Sequence, residues 1–583
     1  MFWPTTHSRR LRTVAGLAAG AVVIATLTTA SAPAGADVRR YVSTVIGSDG
    51  SSYSITNHLE SDLSGERGQH RQRRQWLLAW AGDAAAGADG QAEPDFLAVI
   101  DATRGSRDYG RVVNTVTIDS VFGNEPHHMQ YVWHKGDRIF AGGLLSDTTY
   151  VFDATHLPRL RLSGVVRPGD TPCGSAPDAF HVLSDGTAYA SYVGGPDAAG
   201  ACRYTNGEVR VGNGYLGSPG EVVRIGRDGR VLAEAPVAGK TGEDRVLCPN
   251  VPELPAPTCA NPHGLAVRED LDRMLTSDFA ELHNLIPARP LNPYLARDTI
   301  RVFDISNRNN PRLLSTTRLP DGPRTEIDPT WEEPRAAMEV TPTHQRRHRG
   351  AFVTTMAGGA VFYAPDITAP TPQWREIFDD SAAFGALFPT DTPTPDSDGG
   401  SWVYVSPDDK FLFHVVLQGG FRSPGERETG MLYVLDIRPT LAAGNRVRCS
   451  IDTVEEITAG GAEADCPRLV DVQPIRDTTT GGPHWAAMDN FDLDRSGFYR
   501  ETTGIDRIAT SNYFVSGVGS DGDHRVCITR VSPHGRLSLD GAFRDELTGE
   551  PCVDFDRDRW PHGATGWARP HGLLFAVAAA DVR

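Results

Sequence analysis

One local pattern recurs along this chain and restricts what it can fold into. Residues 147–160 read DTTYVFDATHLPRL, residues 298–314 read DTIRVFDISNRNNPRLL, and residues 221–232 read EVVRIGRDGRVL. Residues 430–438 (GMLYVLDIR) and 526–538 (VCITRVSPHGRLS) follow the same scheme. Each opens on an alternating apolar strand and runs through a polar turn towards a second short strand, the period-2 signature of a meandering antiparallel sheet. Further strands precede two of them, at Arg138-Ile-Phe-Ala-Gly-Gly and Lys410-Phe-Leu-Phe-His-Val-Val, the latter entered through the tight turn Ser406-Pro-Asp-Asp-Lys410. Sheets repeating at intervals of tens of residues predict an all-β protein, a β-propeller of about seven blades. The spacing is wide for a blade, so loop insertions are expected. An array of immunoglobulin-like modules would need linkers, and no Pro/Gly/Ser-rich linker or break in composition divides residues 37–583. A single propeller domain is therefore expected there, with residues 59–94, 285–297 and 380–400 as loop excursions.

Residues 1–36 read as an export signal. Arg9, Arg10 and Arg12 form a charged start, Val14 to Thr29 an apolar stretch, and Ala34-Gly35-Ala36 a small-residue cleavage site. No other segment is long and apolar enough to span a bilayer, so no membrane anchor is expected after cleavage. Losing three arginines and no acid moves the formal charge from −17 to −20. Such a chain repels nucleic acid and anionic membranes. The eight cysteines fall in sequence-local pairs, Cys173/Cys202, Cys248/Cys259, Cys449/Cys466 and Cys527/Cys552. In an exported chain that pattern points to disulfides clipping loops, although eight cysteines allow 105 pairings. Thiolate metal ligation is the competing reading, and no Cys-x-x-Cys supports it.

The histidines carry the functional signal. His127 and His128 are adjacent, His181 follows in Asp-Ala-Phe-His, and His263 lies in Asn-Pro-His-Gly. His484 stands in Gly-Gly-Pro-His-Trp, and His562 and His571 both stand in Pro-His-Gly. Three of these seven stand in Pro-His-Gly and a fourth in Pro-His-Trp, where a proline fixes the backbone before the imidazole and a glycine or small neighbour leaves room beside it. Histidines dispersed in sequence but alike in local frame predict one metal centre assembled from several repeats. Imidazole suits copper, iron or zinc. Adjacent His127 and His128 cannot both face inward from a regular strand, so both reach one metal only if the backbone bulges after Glu125-Pro126.

The order of these segments resembles the selenium-binding protein / methanethiol oxidase family. The resemblance is carried by His127-His128 before Tyr150-Val-Phe-Asp, by Ala179-Phe-His181-Val-Leu-Ser-Asp-Gly, and by Ala337-Met-Glu339-Val-Thr-Pro-Thr-His344. Ser406-Pro-Asp-Asp-Lys-Phe-Leu412 and Gly481-Gly-Pro-His484 continue it. It implies a seven-bladed propeller, a copper site made by histidines, and oxidation of methanethiol by dioxygen to formaldehyde, hydrogen sulfide and hydrogen peroxide. This chain departs from the family where a Cys-Ser-Ser-Cys stretch would follow the histidine pair: Met129-Gln-Tyr-Val-Trp-His stands there. His484 also occupies a position where the family has glutamine.

The expected metal ligands are His127, His128, His181, His263, His484 and His571, with copper first and iron as the alternative. Glu125, Glu339 and His562 are the candidate catalytic groups, and Asp489 is a further carboxylate that could orient an imidazole. Trp133, Trp485 and Trp567 stand beside histidine segments and could wall a pocket, although core packing explains such residues equally well. His344 and His348 lie in an Arg-rich run that reads as a solvated face. The expected partners are a small sulfur compound and dioxygen. No Gly-x-Ser-x-Gly, Gly-x-x-x-x-Gly-Lys-Ser/Thr or His-Glu-x-x-His occurs. Lysine is confined to Lys135, Lys240 and Lys410, which disfavours Schiff-base chemistry. A non-haem iron oxygenase and a non-catalytic binding propeller are the rival readings.

Overall fold

Seven antiparallel sheets of the computed structural model stand in a ring, each inner strand touching the next. The structure describes residues 37–583 except 62–72, 85–92, 119–124, 241–242, 244–247, 249–257, 286–295, 327–334, 388–398, 418–428, 477–481, 514, 516–521 and 564–565. The expected export signal, residues 1–36, lies outside the described residues.

Six blades take four consecutive strands each for their main path, with extra hairpins in two of them. Their inner strands are Pro126–Met129, Ser175–Val182, Pro262–Arg268, Ala337–Pro342, Gly400–Val405 and Trp485–Met488. The remaining blade closes the ring. Its inner strand is the C-terminal Ala568–Val577, paired with Gln75–Asp83, followed by Phe96–Asp101 and Val112–Ile118. Two more N-terminal strands, Ser52–Glu60 and Val38–Ile46, extend the outer edge of that blade. Both ends of the described chain thus meet in one sheet, which closes the ring.

The repeats read from the sequence occupy one structural position. Thr148–Asp153, Glu221–Ile225, Thr299–Asp304, Thr429–Asp436 and Arg525–Val531 are the third strands of five blades, each leading to an outer fourth strand. These third strands and the inner strands are buried almost throughout, because neighbouring blades cover both faces of each sheet. Every residue of Ala337–Pro342 is buried. The sheets interlock through large side chains, including fully buried Trp80, Trp133, Trp402 and Trp485.

Two expected loops contain regular structure. Gln75–Asp83, inside residues 59–94, is a core strand because its QWLLAWAGD sequence pairs with both the C-terminal strand and Phe96–Asp101. Asp380–Leu387, inside residues 380–400, is a helix that packs against the short helix Val454–Ala459. Polar composition nearby had masked both. The four neighbour-paired disulfides are all formed: Cys173–Cys202, Cys248–Cys259, Cys449–Cys466 and Cys527–Cys552.

Candidate metal centre

The inner strands share a second repeat, finer than the blade. In six of them the pairing register slips at the same place, between Pro126 and Met129, Pro177 and Phe180, Pro262 and Leu265, Ala337 and Val340, Gly400 and Val403, and Pro570 and Leu573. A bulge inserts an extra residue and re-aims side chains. Here it presents His127, Asp178, His263, Met338, Ser401 and His571 at equivalent points, and His484, also preceded by proline, holds that point before Trp485–Met488. The next residues are His128, Ala179, Gly264, Glu339, Trp402, Trp485 and Gly572. Glycine is required at two of these. A Cβ on Gly572 would lie 2.7 Å from the carbonyl oxygen of His127, and one on Gly264 would lie 2.7 Å from that of Met338. The Pro-His-Gly frame therefore lets the adjacent inner strand approach.

The bulge at Pro126–Met129 brings both adjacent histidines to the axis, their rings stacked with centroids 4.2 Å apart. Nitrogens of His127, His128, His263 and His484 all lie within 4.8 Å of one another, and all four residues are buried. A first-row ion held at ~2.0–2.1 Å from imidazole nitrogens separates adjacent ligand atoms by about 3 Å and opposite ones by about 4 Å. His571 completes the group, its ring 4.1 Å from that of His127 and 4.8 Å from that of His484.

Hydrogen bonds fix one tautomer. The Ser401 hydroxyl donates to the carbonyl oxygen of His484 at 2.7 Å, so Oγ of Ser401 accepts from the Nδ1–H of His484, also at 2.7 Å. The lone pair of His484 is then on Nε2, which lies 2.9 Å from Nε2 of His128. On the other side of His128, Nδ1 lies 2.7 Å from Oδ1 of Asp178. Asp178 also reaches Nε2 of His127 at 3.3 Å and Nε2 of His263 at 3.5 Å, and Glu339 stands 3.2 Å from Nδ1 of His263. Carboxylates thus back the imidazoles as they do in metal sites.

Burial sets the charge. It depresses His127 to about 3, helped by His128, and drives His484 and His571 well below the ordinary imidazole value. Burial also pulls His263 down, but Asp178 and Glu339 outweigh it and hold that residue above the ordinary value. Burial pushes Asp178 up, and the three histidines outweigh it and keep the carboxyl well below the usual range. Neutral imidazoles are the form that ligates. Buried nitrogens of His127, His263 and His571, both oxygens of Asp178 and Oε1 of Glu339 have no hydrogen-bond partner. Orphaned polar atoms in such number are costly. A divalent cation fits this donor set, because it would use the lone pairs and balance two buried carboxylates.

Some expected site residues lie elsewhere. His181 sits three residues beyond Asp178 on the same inner strand, where its charged neighbours are His344 and His134. The bulge changes the facing of residues along that strand and leaves Asp178, not His181, at the cluster. His562 stands outside any inner strand, accepting or donating at 2.9 Å to the Thr115 hydroxyl and packing on Phe96. Its Pro-His-Gly frame belongs to a turn over the closing blade. Glu125 touches the periphery: its carboxylate accepts from the Tyr513 hydroxyl at 2.6 Å, and the Tyr513 ring lies 5.5 Å from that of His571. Asp489 pairs with Arg507 at 2.6 Å, bracing blades away from the histidines. Of the three tryptophans only Trp485 reaches the cluster, 4.2 Å from His128; Trp133 packs on Phe491 and Trp567 is exposed. Asp178 was missed from sequence, although Ala-Pro-Asp repeats the proline of the histidine frames.

No family model matches the chain, and a search of curated proteins finds no match. Solved structures do. A hypothetical selenium-binding protein from Sulfolobus tokodaii is similar at 13% identity and a TM-score of 0.52, over 87% of this chain and 94% of that one. The periplasmic gluconolactonase of Pseudomonas aeruginosa is similar at 14% identity and a TM-score of 0.45, over 86% of this chain and 99% of that one. At 13% identity the likeness to the Sulfolobus tokodaii protein shows a shared fold alone.

Proposed function

We propose that this chain is an exported, copper-dependent oxidase of a small thiol such as methanethiol, akin to the selenium-binding protein / methanethiol oxidase proteins. The observation that carries the reading is the convergence of His127, His128, His263 and His484, with His571 beside them, on one buried point. Copper held by these imidazoles would supply one-electron redox chemistry and an open position for sulfur or dioxygen. The chain's own residues supply the rest. Asp178, Glu339 and Ser401 orient the rings, and His571 stands beside them, buried, with both nitrogens unpartnered. An apolar cluster including Leu144, Phe279, Met338, Met356 and Leu417 lies on the same side, with Phe279 5.2 Å from His263. The four disulfides accord with an extracytoplasmic location.

The test is metal content of the purified exported protein, beside a His127→Ala/His128→Ala variant. About one copper per chain, lost in the variant, followed by thiol-dependent release of peroxide, is the expected result. Stoichiometric iron would move the assignment to an oxygenase. Absence of any transition metal after copper loading would leave a binding propeller.

A further inference from the structure

The inner layer below the histidines is aromatic, and its rings form a path. His128 lies 4.2 Å from Trp485, Trp485 lies 5.1 Å from Tyr131 in a stacked arrangement, and Tyr131 lies 5.8 Å from Tyr404. Tyr404 in turn stacks on His344 at 5.3 Å. The direction follows from the strands. The metal-site residues stand near the start of each inner strand, whereas Tyr404 is near the end of Gly400–Val405 and His344 follows the end of Ala337–Pro342. The path therefore runs from the histidine cluster to the opposite mouth of the ring, beside exposed Arg346 and Arg347. Tyr404 and His344 are partly exposed there, while Trp485 and Tyr131 are buried.

One further contact gives the path a chemical use. The Tyr131 hydroxyl donates a hydrogen bond to Oε2 of Glu339, whose other oxygen faces His263. A phenol loses an electron readily only if its proton has somewhere to go, and this carboxylate provides it.

We propose that Trp485, Tyr131 and Tyr404 form a one-electron relay from the histidine cluster to the opposite face of the propeller. The relay rests on the copper reading above. The oxidant is copper(II) at the cluster treated with hydrogen peroxide, and the terminal reductant is a soluble thiol or ascorbate at the far mouth. One electron leaves Trp485 for the oxidant, giving an indole radical cation. Tyr131 then returns an electron to Trp485 and passes its phenol proton to Glu339. Tyr404 gives an electron to the Tyr131 radical, which recovers its proton from Glu339, and Tyr404 releases its own proton to solvent. The reductant returns an electron to the Tyr404 radical, which takes back a proton from solvent. The net change is one electron delivered to the cluster, with every protein group restored. Such a relay would drain oxidising equivalents formed without substrate before they destroy the ligands.

The experiment uses the full chain loaded with copper, with copper content measured on the same sample. Hydrogen peroxide is added with a nitroso spin trap and without thiol, and adducts are mapped by peptide mass spectrometry. The expected result is an adduct on Tyr404 that is lost in Tyr131→Phe, with oxidation appearing instead on Trp485 and His128. Tyr404→Phe, altered at the partly exposed end, should move the adduct back to Tyr131. Copper bound but no Tyr404 adduct, or an adduct unchanged in Tyr131→Phe, would overturn the relay and leave the copper reading standing. A chain that binds no copper would overturn both, and the metal analysis separates the two failures.

Discussion

Nε2 of His128 and Nε2 of His484, on residues 356 apart in sequence, lie 2.9 Å from each other. Ser401 places the proton of His484 on Nδ1, so its Nε2 presents a lone pair towards Nε2 of His128. Two lone pairs at that separation repel in a buried site unless a proton or a cation lies between them. Burial and the neighbouring His128 keep His484 from protonating near neutral pH. A proton on Nε2 of His128 or a shared cation satisfies both rings.

Ser401→Ala should therefore weaken metal binding without removing a ligand. The variant loses the acceptor that fixes the His484 tautomer, and loss of such a supporting partner typically costs about 10–100-fold in affinity. Competition against a chelator of known copper affinity measures this. Wild-type affinity in the variant would show that the serine merely packs.

His181→Ala should retain full metal stoichiometry. Burial depresses this imidazole to about 3, with His344 adding to the effect, and it faces that residue and His134 instead of the cluster. Metal analysis of the purified variant decides it, because a loss of one copper per chain would return His181 to the ligand set.

The difference between His181 and Asp178 shows what could be read from the chain. The five alternating segments marked the third strands of five blades, and their repetition was enough for a propeller. Proline before histidine marked the inner-strand bulges at Pro126, Pro262 and Pro570, and Pro483 precedes the equivalent histidine without a bulge. Pro177 marks the same bulge before an aspartate, but the eye follows the imidazole, and the nearest one lies three residues on. His562 carries the full frame in a turn, where no inner strand exists to aim it. Residue type could not settle these positions, because side-chain facing beyond a bulge depends on the register slip. Gln75–Asp83 was hidden for a different reason: its partner strand is at the far end of the chain, and no local repeat flanks it.

Removing residues 566–583 should abolish folding, not merely the metal site. Nine of the ten residues in Ala568–Val577 are buried, and the strand supplies the inner edge of the closing blade. Fully burying a side chain such as Leu573, Leu574 or Phe575 contributes about 1.5–3 kcal/mol each. Together they rival the ~5–15 kcal/mol total stability of a typical domain. Circular dichroism and yield of soluble protein report the outcome. A folded, cooperative truncation would mean that the ring does not depend on this closure.

A second buried acidic pair governs how stability should vary with pH. Glu221 and Glu234 lie on adjacent strands of one blade, and neither oxygen of Glu221 has a hydrogen-bond partner. Burial, with Glu234, Asp147 and Asp197 nearby, raises Glu221 well above the carboxylate range, and burial raises Glu234 to about 7. The folded state therefore binds more protons than the unfolded one between about pH 4.5 and 7. The favourable contribution is complete below the unfolded pKa and is lost as pH rises through the folded values. Thermal unfolding followed from pH 5.5 to 8 should show this loss in the wild type. Glu221→Gln removes one ionisable partner and should flatten the decline, raising the midpoint at pH 8 while leaving that at pH 5.5 nearly unchanged. Parallel curves for the two proteins would mean that the pair is ionised and compensated in the fold, and that its burial costs nothing across this range.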